Sequence, residues 1–248
     1  MLPNTKEFLH KKLLVGSSYI DLTGKLSVHS LFSFFQEVAW EHATLNGFGF
    51  EHLKEKGFFW ALSRVYVEIE ALPKWTEPIT LSTWPSGTEG PFALRDFSLF
   101  NDAGEKIIGA TSSWLIVDYE TRRPRRPDAF KERMPICDTI RATKCNAQKI
   151  SGTTHETIYS YQITSRISDI DVNGHINNTR YVEWAINSFP LEFYQEAAIK
   201  EITINFLSEG FCGDNLRVDS RKVDDRSYVS SIIRELDSKV LALVEIHI

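Results

Sequence analysis

The sequence predicts an α+β chain made of two similar halves, each an antiparallel sheet wrapped around a central helix, the pair packed as a pseudo-dimer. Three observations lead there. One order of elements (short strand, apolar helix, antiparallel meander) occurs twice along the chain. The two helical segments echo one another, FFQEVAW at 34–40 against RYVEWAI at 180–186. A helix that is apolar on nearly every side belongs in an interior, and a sheet curling around it supplies one. A single ten-strand sandwich would leave both helices without a place to bury.

In the first half LLVGSSYI (13–20) reads as a short strand. HSLFSFFQEVAWEHA (29–43) then repeats Leu31, Phe34, Phe35, Val38 and His42 at helical spacing. SRVYVEIEAL (63–72) alternates Val65, Val67 and Ile69 with Tyr66, Glu68 and Glu70, the period of a half-buried strand. PITLSTW (78–84) and FALRDFSLF (92–100) are further strands, and the turn NDAG (101–104) leads into EKIIGATSSWLIVDY. The polar stretch RATKCNAQKISGTT (141–154) has no pattern and reads as a linker. It divides a first domain, 1–140, from a second, 155–248. That second domain runs through ETIYSYQITS, a helix NNTRYVEWAINSF capped by Asn177 or Asn178, and four strands ending in KVLALVEIHI.

At 248 residues, 42% hydrophobic and 25% charged, the chain has material for a substantial core. A formal net charge of -5 argues against nucleic acid as a partner. No apolar run approaches membrane-spanning length, and MLPNTKEFLHKKLLVGSS has neither the apolar core nor the small-residue cleavage site of a secretory leader. The expected location is therefore cytoplasmic, without a membrane partner. Cys137, Cys145 and Cys212 are too few and too scattered for a disulfide framework or zinc site, and each is expected as a reduced, small, buried residue.

The most unusual stretch is DIDVNGHINNTRYVEW (169–184), with Asp171, Asn173 and His175 at alternate positions and Gly174 between the last two. On an extended strand or wide turn the three polar heads share one surface. The plainer reading is a turn that caps the helix behind it, where Asp and Asn are common. The triplet by itself leans slightly to the plainer reading. Near His29 the first half, GKLSVHS, offers neither the Asp nor the Asn.

Several strings, in order, carry a resemblance that covers nearly the whole chain: FFQEVAWEHATLNG, WALSRVYVEIEALPKWTEPITLSTW, LRDFSLF and ATSSWLIVDYETRRPRRP in the first half, then SRISDIDVNGHINNTRYVEW and ITINFLSEG in the second. Together they resemble the acyl–acyl carrier protein thioesterases of double hot-dog fold, a family with plant plastid members. The resemblance implies hydrolysis of a fatty acyl thioester on a phosphopantetheine arm, with acyl carrier protein as partner and free fatty acid as product. It places the family's D-x-N-x-H on Asp171, Asn173 and His175, and its acidic residue on Glu209. It implies no cofactor and no metal, and a homodimer is compatible with it. One departure stands out. A papain-like Cys–His–Asn scheme would need a cysteine directly after Glu209, where this chain has Gly210, and Cys212 lies about 6–7 Å further along if the segment is a strand.

These residue types suit the chemistry. There is no G-x-S-x-G elbow, so a serine hydrolase has no footing. An ionised Asp171 is suited to activate water or to attack the carbonyl itself, and the sequence does not choose. Asn173 is suited to hold the thioester oxygen or the water, with amides at the helix start sharing the oxyanion. His175 is suited to orient a carboxylate or protonate the leaving thiolate, and Glu209 to carry a proton. For the acyl slot the first half offers Phe34, Phe35, Val38, Trp40, Trp60 and Trp84, although each is equally at home in a plain core. Arg122, Arg123, Arg125 and Arg126, in TRRPRRPDAFKER (121–133), form a basic cluster on an acidic chain; it is either a solvated loop or a docking patch for an acidic carrier. His10, His42, His52, His155 and His247 lack metal-ligand spacing. The rival readings are an acyl-CoA thioesterase, a hot-dog hydratase, for which a suitably spaced Asp/His pair is missing, and a hot-dog protein that holds acyl chains without cleaving them.

Overall fold

A computed structural model describes residues 5–127, 134–152, 155–196 and 198–248. The chain divides into two compact units, Met1–Ala147 and Gln148–Ile248.

In the first unit β1 (Leu9–Leu14) leads through a 3-10 turn at Ser17–Tyr19 to α1 (Val28–Leu45) and a short α2 (Phe50–Lys54). Strands β2 (Phe58–Ile69), β3 (Pro78–Glu89), β4 (Phe92–Phe100), β5 (Lys106–Asp118) and the two-residue β6 (Pro124–Arg125) follow. The sheet runs β1-β3-β4-β5-β2, antiparallel throughout, with β6 on β5. Helix α1 starts where Ser27 Oγ accepts the Ser30 amide at 3.4 Å, and it lies against β3. Its buried face carries Leu31, Phe34, Phe35, Val38 and Ala39, and Phe35 stacks on Phe97 of β4 with centroids 4.7 Å apart. Burying each such side chain contributes roughly 1.5–3 kcal/mol, so this face and not helix propensity holds α1 in place. The helix is less enclosed than its composition suggests: Gln36, Glu37, Trp40 and Thr44 form an exposed stripe, with Trp40 57% exposed.

The second unit repeats the plan. It comprises β7 (Thr157–Thr164), a 3-10 turn at Ile167–Asp169, α3 (Asn178–Asn187), α4 (Leu191–Glu196), β8 (Glu201–Phe206), β9 (Asn215–Lys222), β10 (Ser227–Arg234) and β11 (Lys239–His247). Its order β7-β9-β10-β11-β8 reproduces that of the first unit, and α3 packs on β9, β10 and β11. Each unit is thus a sheet around a helix, as expected.

Two expectations change. The first strand lies at Leu9–Leu14, earlier than 13–20, because Gly16–Tyr19 turns the chain toward α1. The described part of the 141–154 stretch, 141–152, is no loose tether, and the units divide inside it. Its first part is a strap pinned to the β4–β5 face of the first unit. Buried Asp96 takes Arg141 Nε at 3.0 Å and the Ala142 amide at 2.8 Å, together with Ser86 and Thr111 hydroxyls at 2.7 and 3.0 Å. Lys106 Nζ donates to the Ala142 carbonyl at 2.9 Å. Gly109 is required beneath it, since a Cβ there would strike that carbonyl. Beyond the division, Asn205 of β8 holds Gln148 and Ile150 through its side-chain amide.

Candidate active site

Residues 169–177 form a compact turn, not a strand. The Asp171 amide donates to the His175 carbonyl at 2.8 Å and the Gly174 amide to the Asp171 carbonyl at 3.0 Å, with Gly174 at φ 80°, a conformation glycine adopts without strain. Asp171 Oδ1 accepts the backbone amides of Asn173 at 2.8 Å and His175 at 3.3 Å. The carboxylate is therefore a turn-building group first, which is the plainer of the two sequence readings. Its Oδ2 takes no hydrogen bond among the described residues. Asn177 follows as the N-cap of α3, its Oδ1 taking the Thr179 amide at 3.0 Å, while its carbonyl takes the Arg180 amide at 2.9 Å. Those two first-turn amides are thus occupied and are not spare oxyanion donors.

The three motif side chains do not converge on each other: no hydrogen bond joins them among the described residues. The structure instead brings His175 to Glu209, Nε2 to Oε2 at 3.6 Å, with the imidazole edge-on to Phe211 at 5.4 Å. Asn173 is exposed, and Asp171 and His175 are half-buried. Glu209 stands in the loop after β8, not on a strand. The loop is tied to the turn because the Gly210 carbonyl accepts the Ile176 amide at 2.9 Å.

Gly210 also answers the thiol question. A Cβ built there would lie 2.5 Å from Ile176 Cδ1, 2.9 Å from Tyr181 Oη and 3.0 Å from Leu241 Cδ1. A cysteine does not fit after Glu209 without displacing its neighbours. All three native cysteines are free, and Cys145 and Cys212 are exposed, Cys137 half-buried, which corrects the expectation of buried thiols.

The first half lacks the Asn and His of the motif but does contain a matching carboxylate turn upstream of GKLSVHS. Asp21 Oδ1 accepts the amides of Thr23 at 2.7 Å and Lys25 at 3.4 Å; Asp21 N meets the Lys25 carbonyl at 2.8 Å, and Gly24 sits at φ 72°. Ile20 bridges Leu26 as Ile170 bridges Ile176. Pro73, whose carbonyl accepts the Leu26 amide at 2.8 Å, stands where Gly210 stands. Lys25 therefore occupies the position of His175, and Leu72 that of Glu209. The signal is present in the sequence as D-x-x-G at 21–24 and 171–174, each with its glycine three residues before a capping Ser or Asn. The braced corner belongs to both halves; the imidazole–carboxylate pair belongs to the second alone.

The slot candidates of the first half are mostly closed in. Phe34, Phe35, Val38 and Trp84 are buried, and Trp84 donates its Nε1–H to the Ile140 carbonyl at 3.2 Å. Trp60, bonded to the Phe48 carbonyl at 2.9 Å, is half-buried, as are Phe58 and Ile136 around the same apolar cluster. Arg122, Arg123, Arg125 and Arg126 are exposed on the hairpin that Asp118 organises. Its Oδ1 takes the amides of Glu120 and Thr121, Arg125 approaches it at 3.6 Å, and Arg122 covers the Phe59 ring. Residues 128–133 of the basic stretch lie outside the described residues. Among the described residues no three His, Cys, Asp or Glu gather as a metal site requires. Nor is any described helix long and apolar enough to cross a membrane.

Comparison with known proteins gives a consistent result. The family model described as the acyl-ACP thioesterase N-terminal domain matches residues 6–131, and that of the C-terminal domain matches 152–246. A chloroplastic acyl-[acyl-carrier-protein] hydrolase of Cuphea viscosissima is 27% identical over 250 residues, which take in 92% of this chain and 59% of the plant protein. A chloroplastic palmitoyl-acyl carrier protein thioesterase of Gossypium hirsutum is 30% identical over 200 residues, 75% of this chain and 48% of its own. The chain thus spans about half to three-fifths of these curated relatives. Among solved structures, an acyl-ACP thioesterase from Bacteroides thetaiotaomicron superposes with a TM-score of 0.87 at 26% identity, covering 97% of both chains. The 12:0-ACP thioesterase from Umbellularia californica shares the fold, with a TM-score of 0.87 at 21% identity over 100% of this chain and 98% of that one.

Proposed function

Since the chain belongs to the acyl-ACP thioesterase family, we propose that it hydrolyses fatty acyl thioesters carried on acyl carrier protein, releasing free fatty acid and the holo carrier. The observation that carries the reading is the His175–Glu209 pair beside the Asp171 turn, present in the half matched by the family's C-terminal model and replaced by Lys25 and Leu72 in the other. In the proposed reaction Asp171, with Oδ1 held by two amides and Oδ2 open, takes a proton from water. The hydroxide adds to the thioester carbonyl. The tetrahedral intermediate then expels the pantetheine sulfur, which leaves as a thiol with a proton from the His175 imidazolium that Glu209 steadies; the proton taken up by Asp171 then passes through water to the imidazole and restores both groups. General-base help of this kind is worth about 10²–10⁴ in rate. Exposed Asn173 is left to meet the carbonyl oxygen or the water. Half-buried Phe58, Trp60 and Ile136 of the first unit pack on one apolar cluster, keep part of their surface accessible and suit a fatty chain.

The exposed arginine hairpin at 122–126 suits an acidic carrier. Charge reversal there is expected to weaken carrier binding most at low salt, and unchanged affinity would remove that part of the reading. The main test compares turnover of one acyl chain on the carrier protein and on CoA, with two variants. Asp171→Asn is expected to lower turnover by about 10²–10⁴, whereas Asp21→Asn, which alters the matching corner, is expected to lower stability and leave the folded enzyme active. Normal turnover by Asp171→Asn would end the carboxylate mechanism, and equal or better turnover on CoA would end the carrier assignment.

A further inference from the structure

Beneath the Asp171 turn lies a phenol that the proposed chemistry does not use. Tyr181, in the first turns of α3, is 2% exposed and packs edge-on against Trp184 and Phe206, with centroids 5.7 and 6.0 Å apart. A buried tyrosine hydroxyl needs a polar partner, and here it lies against Gly210, where an added Cβ would sit 2.9 Å from the hydroxyl oxygen. Burial, opposed by the Gly210 backbone and reinforced by Asp214 and Asp171, keeps the phenol above its ordinary value, so the group is a neutral hydroxyl.

The segment next to Glu209 is held at three consecutive residues. The Glu209 carbonyl receives Arg234 Nη1 at 3.4 Å, and the same guanidinium pairs with Asp214 at 3.4 Å and Asp237 at 2.8 Å. Gly210 has the Ile176 amide on its carbonyl and the Tyr181 hydroxyl close enough that a Cβ would lie 2.9 Å from it. Phe211 donates its amide to Asp214 at 2.9 Å. The first unit serves as an internal comparison. At the position of Tyr181 it has Leu31, fully buried, and at the position of Gly210 it has Pro73, which has no amide hydrogen. The hydroxyl and the glycine it lies against are therefore both missing in the half that also lacks the imidazole and the carboxylate. The carbonyl link to the turn is kept in both halves. What serves the fold is duplicated, and what accompanies the His–Glu pair is not.

We infer that Tyr181 is a positioning residue: its hydroxyl, set against the Gly210 backbone, fixes where Glu209 stands relative to His175. The kinetic part of the test rests on the thioesterase reading; the structural part does not. Tyr181→Phe removes one oxygen and leaves the ring packing. In a crystal structure of that variant Glu209 is expected to leave His175, which the native chain holds at 3.6 Å. An unchanged pair would overturn the inference whatever the protein hydrolyses. In acyl-ACP turnover, Tyr181→Phe is expected to lower kcat about tenfold with KM little altered. On a Glu209→Gln background the same change is expected to cost less than about twofold, because its effect passes through Glu209. Equal losses on both backgrounds would overturn it. Should Tyr181→Phe fail to fold, Arg234→Lys loosens the Glu209 carbonyl without emptying the core and carries the same two expectations.

Discussion

Lowering the pH should destabilise the first unit through one buried imidazole, by an amount the surroundings of that ring define. His42 on α1 is 1% exposed. Its Nδ1 lies 3.2 Å from Arg95 Nη1, which can only donate, so Nδ1 is the unprotonated nitrogen and Nε2–H donates to the Lys6 carbonyl at 3.1 Å. Burial first, and the Arg95 charge second, push the ring down to about 4, against a smaller opposing effect of the Lys6 carbonyl. The guanidinium itself is pushed down to about 9 by burial and stays charged at working pH. A group lowered on folding takes up its proton more readily in the unfolded chain. Stability from this source is therefore intact above pH 6.5 and drains away as pH falls toward 4. At about 1.36 kcal/mol per pH unit, the separation between 6.5 and about 4 amounts to about 3.4 kcal/mol below pH 4 and about 2 kcal/mol at pH 5. For a chain of this size that is about 4–8 °C in Tm between pH 7.5 and 5. His10 is also lowered by burial, and carboxylates titrate over the same range. The measurement is therefore a difference: Tm against pH for the native chain and for His42→Gln, whose amide offers Arg95 an acceptor and Lys6 a donor without titrating. The native curve should fall more steeply by that margin. Parallel curves would show that His42 is not held neutral by Arg95, and the reasoning would fail.

Two further outcomes follow from the site. Gly210→Cys places a thiol where a papain-like scheme wants one, yet it should lower stability by about 1–3 kcal/mol through the Ile176, Tyr181 and Leu241 contacts. Any turnover that remains should resist thiol alkylation, and iodoacetamide-sensitive gain of activity would contradict this. Asn177→Ala removes the side-chain acceptor of the Thr179 amide, at a cost of about 1 kcal/mol and a Tm lower by about 2–4 °C. An unchanged Tm would show that the α3 cap is immaterial.

What the sequence disclosed depended on how local the cause was. Strand β4 coincides with FALRDFSLF because its limits are set by its own residues and the Asn101–Gly104 turn. Helix α1 is plain from its periodicity, but the solvent-facing Trp40 is not, since hydrophobic character alone does not tell an exposed indole from a buried one. The Asp21 turn is hard to read in the sequence because it carries neither the Asn nor the His of the second motif. The backbone asks only for a carboxylate and, three residues on, a glycine able to take positive φ. The His175–Glu209 approach joins residues far apart in the chain, and only family resemblance pointed to Glu209. The strap at 141–147, buried at Ala142, Thr143 and Ala147, is the least legible feature: Ala142 and Thr143 are covered by distant β4 and β5, which the strap's polar composition does not announce.

That strap matters to anyone who cuts this protein in two. A first half ending at residue 140 would strip Asp96, which is 0% exposed in the intact chain, of the Arg141 guanidinium and the Ala142 amide, leaving two hydroxyls as the partners of a carboxylate set deep between β4 and β5. An uncompensated interior charge of this sort costs about 3–5 kcal/mol, a large part of what a small domain has in reserve. An insoluble fragment made that way would say nothing about whether the half folds by itself. One ending at residue 147 would be a fair trial.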